Sequence, residues 1–315
     1  MNKLTQELNT IDEIDAELLE KIADMLGKPA GAINIRKNGG CAVRTSTEHI
    51  KIDSRTDGHE GIDIRILDGT KGETCHIPVV MTSNITDAVY NDFYIGEDCD
   101  VTIVAGCGIH NSGCGTSQHD GIHTFHVGKN SRVHYIEKHY GEGNGEGTNI
   151  MNPQTIVYLD EGASIHMDTA QIAGIDSTKR YTRFECAEGS EAVVTERLLT
   201  HGNQSAHSDM DLVLNGADSK CRVISRSVAK GTSVQVFHPN VIGNNACFGH
   251  VQCDSIIMDQ GRVESIPAIT ANNTDAQLIH EAAIGKIAGD QLLKLMTLGL
   301  TEEEAEDRIL KGFLA

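Results

Sequence analysis

Short runs of β-favouring residues recur through the middle of this 315-residue chain, separated by turns rich in Gly, Asn and Asp. The clearest runs are Val101–Val104, Ser131–Ile136, Thr155–Leu159, Glu191–Glu196 and Lys220–Ser225. Several begin after a Gly-x-x or Gly-x-x-x step, as in Gly128–Val133, Gly162–Ile165 and Gly231–Val234. Repeated strands after a fixed turn are typical of a solenoid, in which each coil buries its apolar face against the next. Short strands at this spacing also fit a β-sandwich or jelly roll, so the pattern alone leaves both open.

The composition favours a regular β-architecture over a helical bundle. Aromatic residues make up only 4% of the chain and Trp is absent, whereas glycine occurs 32 times. A core of this kind must be built mainly from Val, Ile, Leu and Ala, with many tight turns. The length allows one large domain or two small ones with a sizeable core.

Charge and cysteine usage argue against several classes of protein. A formal net charge of -19 argues against nucleic-acid binding, which needs Lys and Arg to replace phosphate counterions. The N-terminus has no apolar signal-type segment, and no stretch approaches the roughly 20 apolar residues of a membrane span. The nine cysteines are scattered and never form Cys-x-x-Cys. We therefore expect a cytoplasmic protein with free thiols, no membrane association and no disulfide framework.

An amphipathic helix is predicted over Thr10–Leu26. Its apolar stripe has helical spacing and comprises Ile11, Ile14, Leu18, Ile22 and Met25. Thr10 is the predicted N-cap, with Glu13 completing a capping box, and Gly27 followed by Pro29 supplies the end of the helix. We expect this helix to pack on the β-domain, without a catalytic role.

Two more helices are predicted after about Lys286, over residues 290–298 and 302–313. Gly289 and Asp290 can cap the first, and Thr301 with Glu304 forms a capping box for the second. Two short amphipathic helices are too small to fold alone, so their apolar face must dock on the end of the β-domain or on another protein. The predicted docking residues are Leu292, Leu295, Ile309 and Phe313. The predicted organisation is an N-terminal helical segment (residues 1–31), a β-core (32–285) and a helical tail (286–315).

The last quarter of the chain holds the most specific pattern of chemistry-bearing residues. Its blocks are, in order, Gly249–Ser255, Ile266–Ile269, Asp275–Ala283, Asp290–Leu292 and Leu298–Phe313. The first block contains Cys253, and the third contains His280 followed by Glu281. A thiolate and an imidazole together suit zinc, copper(I) or iron–sulfur chemistry. The order of these blocks resembles the C-terminal part of SufB and SufD, the scaffold proteins of the Suf iron–sulfur cluster assembly system.

The resemblance implies a fold and a function. SufB and SufD have a right-handed parallel β-helix core, so the resemblance favours an all-β solenoid flanked by the N-terminal helix and the two-helix tail. By the same resemblance, Cys253, His280 and Glu281 would hold a nascent iron–sulfur cluster that is bound only transiently. Ile279 departs from the pattern, because SufB carries a functional Glu there. Three alternatives follow: the cluster has fewer carboxylate ligands, a partner supplies the missing ligand, or Glu281 replaces the Glu. We expect Glu281 to be an imperfect replacement, because a one-residue swap along a strand turns the side chain to the other face.

The resemblance also implies partners. The tail would dock a SufC-type ABC ATPase, and a cysteine desulfurase system would supply sulfur. The chain is shorter than a typical SufB, so we expect a homodimer or a pair with a SufB/SufD paralogue. The sequence has no Walker A motif and no Gly-x-Ser-x-Gly, so it would act as a scaffold and not an enzyme, with ATP hydrolysed by the partner. Ile279 leaves open a SufD-like structural role without a cluster.

A second set of potential metal ligands has the spacing Cys-x₂-His-x₃-Cys-x₄-His-x₃-His-x₂-His. It comprises Cys107, His110, Cys114, His119, His123 and His126. Cys/His-rich tracts often bind zinc or iron, and His134, Glu137 and His139 could belong to the same face. The alternatives are solenoid corners shaped by glycine with histidines in solvent, or a cupin-like β-barrel metalloenzyme, whose ordered motif is not reproduced.

Overall fold

Two β-sheets and four helices make up the computed structural model, which describes residues 3–315. Met1 and Asn2, which begin the predicted segment 1–31, lie outside the described residues. The helices are α1 (Lys3–Glu7), α2 (Glu13–Ala23), α3 (Gly289–Thr297) and α4 (Glu302–Phe313). The strands of sheet A are β1 (Ala32–Lys37), β2 (Gly40–Thr45), β5 (Lys71–Met81), β7 (Asp100–His110), β9 (Arg132–Glu142), β12 (Ser164–Ala173), β14 (Glu191–Thr200), β16 (Lys220–Ala229), β18 (Phe248–Ile257) and β21 (Gln277–Gly285). The strands of sheet B are β3 (Ile50–Ser54), β4 (Gly61–Ile66), β6 (Thr86–Ile95), β8 (Ser117–Val127), β10 (Asn149–Met151), β11 (Gln154–Leu159), β13 (Ser177–Cys186), β15 (Ser205–Leu214), β17 (Val234–Gly243), β19 (Arg262–Ser265) and β20 (Ala268–Ala271).

From β4 onward the chain alternates between the two sheets and winds into a β-solenoid of about 8 turns. The spatial order is β2-β1-β5-β7-β9-β12-β14-β16-β18-β21 in sheet A and β19-β17-β15-β13-β10-β8-β6-β4-β3 in sheet B, where β11 also pairs with β13 and β8, and β20 with β17. Within residues 3–315 the strands pair in parallel, except in the hairpins β1–β2 and β3–β4. The predicted parallel β-helix is confirmed. The β-sandwich, jelly-roll and cupin-like alternatives are wrong, because they require antiparallel sheets.

The core is built from columns of side chains that stack in register on successive turns. One inward column of sheet A consists of Ile103, Tyr135, Met167, Val194, Val223 and Val251, all buried. In sheet B, Phe93 and Phe125 stack with ring centroids 4.2 Å apart. Burial of each large apolar side chain contributes about 1.5–3 kcal/mol. Aliphatic residues provide most of this core, as the scarcity of aromatic residues predicts.

Helix α2 lies on the outer face of sheet A, against β5, β7 and β9. Leu18 and Ile22 are fully buried there and pack in one cluster with Val80 and Val104 of the sheet. Ile14, which belongs to the predicted apolar stripe, is 40% exposed. The buried face of α2 is therefore rotated from the stripe that the sequence predicts.

The predicted N-cap of α2 is wrong. The helix begins at Glu13, and its N-cap is Asp12, whose side chain accepts a hydrogen bond from the N–H of Asp15. The Asp15 side chain accepts one from the N–H of Asp12, which completes the capping box. Thr10 does not cap the helix, because its hydroxyl donates to the carbonyl oxygen of Ala42 at 3.2 Å. A tertiary contact with β2 thus replaces the local contact that the sequence suggests.

The C-terminal end of α2 also comes earlier than predicted. Its last residue is Ala23, and Asp24 takes a left-handed conformation with φ of 52°. Asp tolerates this conformation better than most other residues with a side chain. Gly27, the predicted end of the helix, therefore lies beyond it.

Two glycines allow α2 to approach sheet A closely. Gly106 has a φ of +153°, and a Cβ atom there would lie 2.5 Å from the carbonyl oxygen of Lys138 and 3.0 Å from that of Ile22. A Cβ atom on Gly108 would lie 3.1 Å from the Cβ of Leu18. The contact between helix and sheet has no room for these side chains.

Replacing Gly106 with Ala should therefore weaken the docking of α2. We expect Gly106→Ala to lower the free energy of unfolding by about 2 kcal/mol, because the new Cβ must displace backbone atoms on both sides. Gly285→Ala in β21 is the matched control, since no atom lies within 4 Å of its added Cβ. Urea unfolding measures both variants, and a Gly106→Ala protein as stable as wild type would contradict the close contact.

The tail forms the two predicted helices, with one difference in capping. Helix α4 follows Thr301, which forms the predicted capping box with Glu304. Helix α3 starts at Gly289, and its N-cap Ala288 makes no side-chain hydrogen bond. The predicted capping by Gly289 and Asp290 is wrong, because both residues already belong to the helix.

Helix α4 lies against the solenoid. Arg226 of β16 donates from Nη1 to the carbonyl oxygens of Phe313 at 3.3 Å and Ala315 at 3.0 Å. Ala305 and Leu310 are buried on the side of α4 that faces the rest of the protein. No helix within residues 3–315 has the length and apolar character needed to cross a membrane.

Candidate functional site

Cys253 and His280 lie side by side where the solenoid ends. Strands β18 and β21 pair in parallel, with Val251 opposite His280, and Cys253 Sγ lies 3.3 Å from His280 Nε2. Cys253 is 4% exposed and belongs to the main core. His280 is half-buried, because β21 is the edge strand of sheet A and, within residues 3–315, no further turn covers it. Two of the three residues that the resemblance singled out are therefore in contact.

The pair is electrically neutral at neutral pH. Burial raises the pKa of the Cys253 thiol to about 12, and the hydroxyl of Ser265 offsets part of that rise. Burial, and then the nearby His250, lower the pKa of His280. The unprotonated imidazole is ready to bind a metal ion, whereas the thiol must first release its proton. A thiolate beside an imidazole forms a ligand set suited to iron or zinc.

Glu281 lies on the other face of β21. Its side chain is 64% exposed, and Oε2 lies 3.7 Å from Nε2 of His250. Ile279 is also exposed and sits opposite His250 in the strand register. The expectation that positions 279 and 281 differ in face is wrong, because a two-residue step along a strand keeps the same face. The backbone of β21 therefore separates Glu281 from the Cys253–His280 pair.

Three residues of the second predicted set face the interior of the solenoid. Cys107, His119 and His123 are all buried. Nδ1 of His123 lies 2.8 Å from the hydroxyl of Tyr135, and Nδ1 of His119 lies 3.3 Å from Oδ2 of Asp87. Burial lowers the pKa of His123 to about 4, so its ring is neutral at neutral pH. His123 thus has a hydrogen-bond partner in the interior, whereas Nδ1 of His119 approaches the Asp87 carboxylate but makes no hydrogen bond within residues 3–315.

The other three residues of that set point elsewhere. His126 stacks on the outer face of sheet B between Tyr94 and Tyr158, with ring centroids 5.1 and 5.3 Å away. His110 is half-buried at the end of β7, and Cys114 is exposed in the turn that follows. Side chains alternate between the two faces of a strand, so spacing in sequence did not bring the set together. Within residues 3–315, no three of the six have ligand atoms within 4.8 Å of one another.

A buried charged network lies beside this set; the sequence pointed to Glu137 and His139, but not to their neighbours Arg180 and Glu196. Glu137 of β9 accepts hydrogen bonds from Nη1 of Arg180 at 2.7 Å and from the hydroxyl of Tyr135 at 3.0 Å. Burial alone would raise the pKa of Glu137, but His139 and Arg180 outweigh it and hold that pKa well below its usual range. Nε of Arg180 also lies 3.8 Å from Oε1 of Glu196. Paired in this way, the charges avoid the cost of isolated burial.

The network continues along one inward column toward Cys253. Glu137, Thr169, Glu196, Ser225 and Cys253 occupy equivalent positions on successive strands of sheet A. The hydroxyl of Ser225 donates to Oε2 of Glu196 at 3.0 Å. The sequence feature that could have predicted this column is the alternation of inward and outward residues along each strand. Each member lies two residues from an apolar core residue of its own strand, so it faces the same way.

The residues predicted to dock a partner are partly covered by the protein itself. Leu292, Leu295, Ile309 and Phe313 are all half-buried. The large apolar residues that the tail exposes are instead Leu293, Met296 and Leu298, at 61%, 40% and 75%. An apolar surface is therefore present on the tail, but it is centred on α3.

The environment of Cys253 should be visible in its reactivity. Under native conditions near neutral pH, we expect iodoacetamide to modify the exposed Cys41 and Cys114 and to spare Cys253, because only a thiolate reacts and Cys253 is buried and protonated. The rate at which Cys253 is modified should rise with pH, because the thiolate fraction increases. Mass spectrometry of peptides from a quenched time course measures each site.

In denaturant the three cysteines should react at similar rates, which provides the control for burial. A native Cys253 that reacts as fast as Cys41 would show that the thiol is not enclosed.

Comparison with known proteins identifies the family. Residues 88–313 match a family model described as "SUF system FeS cluster assembly, SufBD core domain". The matched span runs from β6 through α4, so it contains Cys253, His280 and the buried network. The chain belongs to the SufBD family, and its family role is in iron–sulfur cluster assembly.

Individual relatives agree with this family. An iron–sulfur cluster assembly SufBD family protein of Archaeoglobus fulgidus is 27% identical over 265 residues, covering 82% of this chain and 69% of that protein. A SufBD family protein of Methanocaldococcus jannaschii is 27% identical over 242 residues, covering 75% and 74% respectively. One of Methanothermobacter thermautotrophicus is 24% identical over 237 residues, covering 74% and 56%. The chain thus spans from 56% to 74% of the length of these three relatives.

Proposed function

We propose that this protein is a scaffold on which iron and sulfide are assembled into a cluster, held in part by Cys253 and His280. The observation that carries the proposal is the 3.3 Å contact between Cys253 Sγ and His280 Nε2 at the end of the solenoid. Thiolates commonly ligate iron–sulfur clusters, and imidazoles replace some of them in certain centres. Membership of the SufBD family supports the same chemistry. The cluster is cargo that is assembled and passed on.

A cluster needs more ligands than one Cys–His pair, and a second copy of the chain could supply them. Strand β21 is a nine-residue edge of sheet A, and free edges favour pairing with another strand. Exposed apolar residues on the last turn are Ile266, Ile269, Ile279 and Ile284. Two-fold pairing of β21 with the β21 of a second copy, or with a SufB/SufD paralogue, would bring two Cys–His sites to one junction.

The tail suggests how this junction could be opened. The exposed side of α3, with Leu293, Met296 and Leu298, is an apolar surface suited to a partner protein. In our proposal a SufC-type ABC ATPase docks there. Closure of two ATPase subunits on ATP binding would pull on the paired solenoids and admit iron, together with sulfur from a cysteine desulfurase system. The chain itself catalyses no step, and ATP is hydrolysed by the partner.

Anaerobic reconstitution with ferrous iron and sulfide tests the scaffold role. We expect Cys253→Ser to lower the affinity for iron by at least about 10- to 100-fold, because loss of a ligand costs no less than loss of an outer-shell partner. Cys41→Ser is the matched control, since Cys41 is exposed in β2, at the other end of sheet A. Iron and acid-labile sulfide content, with the absorbance spectrum, are measured for both variants and for wild type.

A SufD-like structural role without a cluster is the second candidate. The exposed apolar Ile279 and the outward direction of Glu281 favour it, because among residues 3–315 they leave only Cys253 and His280 as ligands at the site. If wild type and Cys253→Ser retain equal amounts of iron, or none, the scaffold proposal fails and this candidate replaces it.

Docking of the ATPase can be tested with substitutions on the exposed side of α3. We expect the double variant Leu293→Glu/Met296→Glu to lose co-purification with a SufC-type ATPase, because two carboxylates would be buried in an apolar interface. The solenoid should remain folded, since both positions are exposed. Gln291→Glu, at an exposed polar position of the same helix, is the control for added negative charge.

Light scattering of the wild-type complex should give the molar mass of two scaffold chains bound to two ATPase chains. Continued association of the double variant with the ATPase would mean that the partner docks elsewhere.

A further inference from the structure

Three side chains on the outer face of sheet A converge at a point away from the Cys253–His280 pair. His134 of β9 and His166 of β12 are direct neighbours in the parallel register, and Asp168 follows His166 by two residues on the same face. The expectation that His134 shares a face with Glu137 and His139 is wrong, because those two residues are buried inside the solenoid.

The geometry of the three side chains is that of a preformed ligand set. Nε2 of His134 lies 2.8 Å from Oδ2 of Asp168, and Nε2 of His166 lies 3.8 Å from Oδ1 of the same carboxylate. The two imidazole rings stack with centroids 5.3 Å apart. One ligand atom from each residue lies within 4.8 Å of the other two. Ligand bonds of about 2.0–2.2 Å hold donor atoms roughly 3–3.5 Å apart, so small side-chain rotations would close the site.

We propose that His134, His166 and Asp168 form a surface site for a divalent first-row transition-metal ion. Two imidazoles and one carboxylate are the donors that ferrous iron and zinc use in sites that keep coordination positions open. The donors are partly exposed, with side-chain accessibilities of 43%, 50% and 23%, so water or another ligand can complete the coordination.

The surroundings of the site favour this assignment over a plain hydrogen-bonded cluster. Strands β9 and β12 lie in the middle of sheet A, flanked by β7 and β14, so the backbone positions of the donors are fixed. Among residues 3–315, the one Lys or Arg nitrogen within 4 Å of the carboxylate is Nη1 of Arg197, which lies 3.9 Å from Oδ1 of Asp168, too far for a hydrogen bond. Oδ1 therefore has no strong competitor for a metal ion, and the net charge of -19 favours cation binding.

The chain contains a matched control for this site on sheet B. His207 and His238 each approach one oxygen of Asp209, at 3.2 and 3.3 Å. These residues have the same chemistry and similar exposure, but their ligand atoms do not all lie within 4.8 Å of one another. Substitutions there change an exposed His–Asp pair without removing a converged donor set.

The test is a cobalt(II) titration of the full chain carrying Cys253→Ser, so that the proposed cluster site does not contribute. We expect about one Co²⁺ per chain, with ligand-field bands and no thiolate-to-cobalt charge transfer, and displacement of the ion by Zn²⁺. Adding His134→Asn or His166→Asn should weaken binding by at least about 10- to 100-fold. Adding His207→Asn should leave the affinity unchanged. Displacement of bound Co²⁺ by Fe²⁺ under anaerobic conditions, compared with displacement by Zn²⁺, ranks the affinities of the site for these two ions.

Thermal unfolding monitors the fold of each variant, which should not change because the substituted side chains lie on the outer faces of the sheets and are partly exposed. Two results would overturn the proposal: no Co²⁺ binding at micromolar concentrations, or equal binding by the His134→Asn/His166→Asn double variant. Neither result bears on the scaffold role, because every protein in the titration lacks Cys253.

Discussion

Parallel, in-register pairing decides which side chains meet in this molecule. Each turn lies directly over the one before it, so the nearest neighbours of a residue are those at the same position on adjoining turns. An apolar residue finds an apolar column, as from Ile103 to Val251. A charged residue that faces inward must find its partner inside the same narrow interior, as Glu137 does with Arg180, 43 positions away in sequence. Removing one member of such a pair would leave a buried charge, which costs far more than the pair contributes.

In-register stacking also determines which kind of side chain can occupy the last turn. Val251 is covered by His280, but within residues 3–315 nothing covers His280 in turn. The residue at this position must shield the core below it and tolerate water above it. An imidazole meets both demands, since its ring carbons pack on the column while its nitrogens remain available for Cys253 or a metal ion. In the proposed function, one side chain would thus both close the core and bind the metal.

Much of the fold could be predicted from turn spacing and alternation, because both are local properties of the sequence. Solenoid and sandwich share the same strand period, so only the resemblance in the last quarter separated them. The N-cap was misassigned because Thr10 bonds to Ala42, a contact set by tertiary packing. The 107–126 set did not converge because alternate residues of a strand face opposite sides of the sheet, and spacing in sequence does not tell which of them face inward. Arg180 and Glu196 lie in strands that read as ordinary alternating segments, and their burial follows only from the winding of the chain.

The antiparallel hairpins β1–β2 and β3–β4 make the two ends of the solenoid unlike. At the hairpin end, the edge strands β2 and β3 are six and five residues long and antiparallel to their neighbours. At the other end, the edge strand β21 is nine residues long and parallel to its neighbour. A solenoid with matching ends could add copies head to tail without limit and grow into a filament. Here one end is not a template for the other, so the β21 pairing proposed above would stop at two copies. In that assembly the hairpins would limit polymerisation from the end of the molecule that is farthest from the Cys253–His280 pair.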